Sequence, residues 1–177
     1  MADIKVPDFG DSPSASTGVR KMCFICSKGN LDWAYPALIM GNAALGEGVE
    51  THFFFTFWGL DIVTKSRMAN LKFSMLGNTA MHMPAVPNFP IPAFMGGIPG
   101  VTEYGTRMMR RMIGDLDVPP VPEFLQQIVD MGGQMWACRM TFDMMKLKKE
   151  DLFDGVQDVI SATDFIELSD GGQIIFI

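Results

Sequence analysis

Five short apolar runs, at residues 19–26, 49–58, 134–138, 156–160 and 174–177, constrain this chain more than any other feature. A strand that is apolar at nearly every position must be covered on both faces, which is the signature of a parallel sheet between helices. Helical patterns separate the runs. Leu31, Tyr35, Leu38 and Leu45 fall on one helical face, Pro36 places a start or bend early, and the glycines at 46 and 48 stop the helix. Pro122 suits the first turn of a second helix, whose buried stripe is Leu125, Ile128 and Val129 and whose stop is Gly132-Gly133. Residues 148–153 form a short helical turn. The Ser161-Ala-Thr-Asp164 capping box opens a helix to Leu168. The alternation predicts an α/β fold, a flavodoxin-like three-layer sandwich with a mainly parallel sheet of about five strands.

A chain of 177 residues is a normal size for one domain. Residues 1–18 are polar and lack an apolar signal core, so they read as a disordered tail before a single domain over 19–177. That places the protein in the cytoplasm, where thiols stay reduced. The net charge of −6 argues against a nucleic-acid partner.

Cys23 and Cys26 have C-x-x-C spacing but lie inside an apolar run. In a strand, residues three apart face opposite ways and sit roughly 10 Å apart. A redox or zinc pair is therefore not expected, and no metal or cofactor is predicted. His52, between Thr51 and Phe53, reads as a satisfied structural histidine. His82, between Met81 and Met83, reads as loop with incidental methionines.

Cys138 ends the run Met135-Trp-Ala137 where a helical turn starts. There a thiol meets unpaired backbone N–H groups, which favour its anion. Arg139 follows it and is expected to stabilise the same charge. Cys26 has a similar strand-end place, with Lys28 nearby, and is a candidate second sulfur-handling group. Reactive groups in parallel α/β sheets gather at this carboxyl edge. The same edge offers Ser27, Lys28 and Gly29 to a small anion or nucleotide, although no G-x-G-x-x-G follows a strand.

Residues 73–102 contain no Asp, Glu, Lys or Arg and are rich in Pro, Gly and Met. Five prolines, at 84, 87, 90, 92 and 99, argue against a membrane helix. Residues of about 73–116 read as an apolar insertion, whose uncharged part, 73–102, is too apolar to lie open on a monomer. Phe73, Phe89, Ile91, Phe94 and Ile98 are expected to be covered in a homo-oligomer, and residues 84–99 to wall the Cys138 site. Residues 104–116 follow as a basic amphipathic helix with Arg107, Arg110 and Arg111.

Cys26-Ser-Lys-Gly-Asn-Leu-Asp-Trp-Ala-Tyr-Pro36, Phe53-Phe-Phe-Thr-Phe-Trp-Gly-Leu60, the Met-rich arginine helix, Trp136-Ala-Cys-Arg-Met-Thr-Phe-Asp143 and Lys148-Lys-Glu-Asp-Leu152 together resemble the DsrE/DsrF-like sulfurtransferase family, in its longer, Met-rich branch. The resemblance spans residues 19–177. It implies a homo-oligomeric sulfurtransferase or sulfur carrier that relays sulfane sulfur as a cysteine persulfide. It also implies donor and acceptor proteins of the rhodanese- or TusA-like kind. The family's carrier cysteine matches Cys138. A non-catalytic ligand-binding module and a membrane-associated subunit stand as the alternatives.

Overall fold

The structure, a computed structural model, describes residues 20–75, 82–83, 86–90, 94 and 97–177. Strands β1 (Lys21–Cys26), β2 (Glu50–Phe55), β5 (Gln134–Cys138), β6 (Val156–Ile160) and β7 (Gln173–Phe176) form one sheet in the order β6-β5-β2-β1-β7. Every neighbouring pair is parallel. The chain is thus the expected α/β fold with five parallel strands. A separate antiparallel pair, β3 (His82–Met83) and β4 (Val86–Pro90), lies in the uncharged stretch. The helices are α1 (Leu31–Gly46), α2 (Val101–Gly114), α3 (Val121–Asp130), α4 (Arg139–Met144) and α5 (Ala162–Leu168).

The two faces of the sheet are packed unequally. Phe24, Phe53, Phe55, Met135, Ala137 and Val159 point to one face and join α1 and α3 in the larger core. Phe24 and Phe53 stack at 5.2 Å, and each fully buried ring contributes roughly 2 kcal/mol through lost water contact. The opposite face carries Cys23, Phe54 and Cys138, and its helical side chains, Phe165 and Leu168, come from α5. Phe165 stacks on Phe54 at 4.5 Å. Seven residues of helix cover little: Ile174 is 48% exposed and Phe176 70%. Cys23 and Cys26 face opposite ways, one in each cluster, as their spacing requires.

Local rules explain the ends of the elements. Ser161 accepts a hydrogen bond from Asp164 N at 3.1 Å, and Asp164 accepts one from Ser161 N at 2.8 Å, closing the expected capping box. Pro36 sits inside α1, where it removes one helical donor. One strand is shorter than its apolar run. β2 stops at Phe55 and the chain enters a 3-10 turn over Phe57–Val63, although the run continues through Trp58. The cause is Gly59, packed against the end of β1. A Cβ there would lie 2.0 Å from the Cys26 carbonyl oxygen. No helix among the described residues is long and apolar enough to cross a membrane. Of the expected wall of residues 84–99, residues 84–85, 91–93 and 95–96 lie outside the described residues. Of that stretch, Phe94 and Ile98 are exposed.

Candidate functional site

Cys138 closes β5 and is the N-cap of α4, with extended backbone angles (φ −70°, ψ 120°). From that position a side chain faces the free N–H groups of the first helical turn. Thr141, fully buried, is the third residue of the turn. Its hydroxyl oxygen accepts the Phe57 N–H at 2.9 Å and lies 3.3 Å from the Thr56 hydroxyl oxygen. Thr56 is the next residue after β2, the strand beside β5, so sheet register brings it level with Cys138. Phe57 is held at φ 45°, a left-handed conformation that is costly for a bulky side chain. The bond to Thr141 helps to hold it there.

Burial is the largest single influence on Cys138 and pushes its thiol up, since the side chain is only 5% exposed. Against it act the Thr56 hydroxyl, the Thr141 N–H and hydroxyl, and the Met140 N–H. Together they prevail and hold the thiol below its ordinary value of 9.0. The other two cysteines differ. Burial pushes Cys26 up to about 12 with no opposing group. Burial also raises Cys23, with Lys21 partly opposing and Glu50 adding to the rise.

The structure therefore does not bring the sequence candidates together. Cys26 lies on the larger-core face. Lys28 places its ammonium 3.2 Å from the centre of the Trp33 ring. Arg139 donates to the Val159 carbonyl at 2.6 Å and is not among the groups that lower Cys138. Its charge is felt instead by Asp158, lowered chiefly by Lys149, and by Asp164, lowered chiefly by the Ser161 N–H. Ser27 donates through both N and Oγ to the Ile177 carbonyl, at 2.8 and 3.0 Å. These bonds continue the β1–β7 pairing past the strand ends. His52 is satisfied: Nε2 lies 2.7 Å from Glu50 Oε1, and Trp136 donates to Nδ1 at 3.4 Å.

Thr56 and Thr141 are the site residues that sequence reasoning missed. The Cys138-x-x-Thr141 spacing is a usable signal, because it places a hydroxyl in the third position of a helix capped by the cysteine. Thr56 carries no such signal, because only the pairing of β2 with β5 brings it close.

Comparisons with known proteins bear on the family and the fold. A family model described as DsrE/DsrF/DrsH-like matches residues 18–176. The sulfur carrier protein DsrE2 of Allochromatium vinosum is 34% identical over 146 residues, which cover 82% of this chain and 91% of that protein. The uncharacterized protein YrkE of Bacillus subtilis is 23% identical over 160 residues, covering 89% and 97%. A solved structure of a protein of unknown function from Methanobacterium thermoautotrophicum has a TM-score of 0.53 at 12% identity, covering 89% of this chain and 99% of that one. That likeness concerns the fold alone.

Proposed function

We propose a function for this chain, which belongs to the DsrE/DsrF/DrsH-like family: it relays sulfane sulfur, held on Cys138 as a persulfide. The sulfur carrier role printed for the A. vinosum relative supports the general class. The observation that carries the reading is the place of Cys138 at the N-cap of α4, level with Thr56 and three residues before the buried Thr141, an environment that lowers its thiol while burial raises Cys23 and Cys26.

The chemistry is exchange at sulfur. The Cys138 thiolate attacks the outer sulfur of a donor persulfide, R–S–SH. A new S–S bond forms to Cys138, the donor's S–S bond breaks, and its electron pair leaves with the donor sulfur as a thiolate. The outer sulfur keeps its proton, so no external oxidant or reductant is needed. An acceptor thiolate then attacks the outer sulfur of Cys138–S–SH, and Cys138 leaves as the thiolate. The same neutral donors that lower the thiol, Thr56, Thr141 and Met140, stabilise the leaving group in this second step.

Donor and acceptor are proteins of the rhodanese- or TusA-like kind in this reading, and exchange takes place in the reducing cytoplasm. Assembly into a homo-oligomer is supported by the thinly covered face of the sheet, where Ile166, Ile174 and Phe176 are exposed. In this reading the relay rests on Cys138 alone, because burial pushes the Cys26 thiol up and nothing near it opposes that rise.

The test is intact mass spectrometry after incubation with polysulfide. The parent chain gains single sulfur atoms, which reductant removes, and Cys138→Ser does not. Equal gain by Cys138→Ser removes Cys138 from the role.

A further inference from the structure

The carboxyl edge carries a second feature that the thiol chemistry does not use. Gly29, Asn30, Trp58, Asp61, Ser66, Arg67, Asn70 and Lys72 surround a cavity of about 410 Å³. Asn70 and Lys72 also line a neighbouring cavity of about 200 Å³, completed by Glu103, Thr106, Arg107 and Arg110. The shared residues make the two cavities lobes of one cleft.

Charge distinguishes this cleft from the rest of the molecule. Its walls hold four cations, Arg67, Lys72, Arg107 and Arg110, against two carboxylates, Asp61 and Glu103. Two positive charges are left in excess, in a chain whose net charge is −6. Arg67 is paired with Asp61, and Lys72 reaches Glu103 at 3.3 Å. Arg110 donates to the carbonyls of Ala69 and Leu71, at 2.8 and 3.2 Å. Arg107 makes no hydrogen bond or ion pair among the described residues. The larger lobe also takes in Asn30, the N-cap of the 16-residue α1, whose side chain caps nothing.

The walls also define a neutral part. Trp58 is 63% exposed at the rim of the larger lobe and has no ring or cation partner among the described residues. Ser66, Asn70 and Asn30 supply neutral polar groups beside it.

We propose that this cleft binds a phosphate monoester with a planar ring. The phosphate sits between Lys72 and Arg107, and the ring rests on Trp58. A phosphate monoester is close to a dianion above its second pKa of about 6, which matches the two excess charges. The inference does not depend on the persulfide reading, since its readout is binding and not sulfur content. The cleft still borders the thiol site. Trp58 follows Phe57, whose N–H bonds Thr141 beside Cys138.

Adenosine monophosphate, adenosine and inorganic phosphate are the probes, read by calorimetry and tryptophan fluorescence, with KCl at matched ionic strength as the control. Saturable binding of adenosine monophosphate is expected near ~1 mM or tighter, with adenosine and inorganic phosphate each about tenfold weaker. Arg107→Gln and Lys72→Gln, both changes of exposed side chains, each weaken the monophosphate by about fivefold to tenfold. Trp58→Ala removes the fluorescence change and the advantage over inorganic phosphate. Three results overturn the proposal: adenosine binding as well as its monophosphate, affinity unchanged in the Arg107→Gln/Lys72→Gln double variant, or a KCl response of the same size.

Discussion

Cys26 and Cys138 end parallel strands at the same edge of one sheet, yet they are different chemical groups. Each is almost fully buried, so exposure does not separate them. The neighbours do. Cys26 points into the larger core, and burial acts on it unopposed. Cys138 points to the opposite face, where the first turn of α4 and two threonines place polar groups that favour the anion. A strand end in a parallel sheet is thus not by itself a reactive position. It becomes one where the chain enters a helix at once and a neighbouring strand supplies a hydroxyl.

The largest expected effect is a direct contest between the two thiols. Burial pushes Cys26 up to about 12, whereas the surrounding donors hold Cys138 below its ordinary value, so Cys138 has the larger thiolate fraction at neutral pH. Iodoacetamide labelling of the native chain, mapped by peptide mass spectrometry, should therefore modify Cys138 much faster than Cys26. Comparable rates would erase the contrast.

The second test concerns stability. A thiol held at about 12 when folded keeps its proton above pH 9, whereas the unfolded chain loses it. The native state then binds more protons, and stability falls as pH rises from about 9 to 12, by about 1.4 kcal/mol per unit. Cys26→Ala should flatten that slope in denaturant melts, leaving a residue from Cys23. Cys138 has the opposite sign. Its folded value is depressed, so its contribution is complete above the unfolded value and is lost as pH falls through the folded one.

A third change makes Cys138 resemble Cys26. Thr141→Val removes a hydroxyl that serves both the sulfur and Phe57 N. The alkylation midpoint of Cys138 should move up and stability fall by about 1–3 kcal/mol. Thr141→Ser keeps the hydroxyl and should restore the midpoint. The smallest effect is expected from Arg139→Gln, less than about twofold in alkylation rate at any pH, because its guanidinium is spent on Val159 O. A larger change would return Arg139 to the site.

The sheet was legible because its strands are apolar at nearly every position and the helices between them carry their own stops. The Ser161–Asp164 box was legible because capping is a local rule. Cys138 could be picked out from where β5 must end. The groups around it could not, for two separate reasons. Thr56 meets Cys138 only through the β2–β5 register, a contact between residues far apart in the chain. Arg139 misled by proximity. One step along a helix turns a side chain by about 100°, which carries Arg139 toward β6 while Thr141, two residues further on, stays beside the sulfur. The end of β2 was misplaced because Phe57 and Trp58 look like strand residues, and only the contact between Gly59 and β1 forces the turn.

The donors around Cys138 have a property apart from their strength: none bears a formal charge. A thiolate balanced by an arginine loses part of its support as dissolved ions crowd between the partners, over a screening length of about 8 Å at physiological ionic strength. Amide and hydroxyl dipoles at bonding distance leave no room for such ions. The acidity of this sulfur should therefore stay nearly constant as the salt content of its surroundings changes, whereas the encounter with a charged delivery protein should not. A thiol held this way keeps its reactivity fixed and leaves ionic conditions to govern only the encounter.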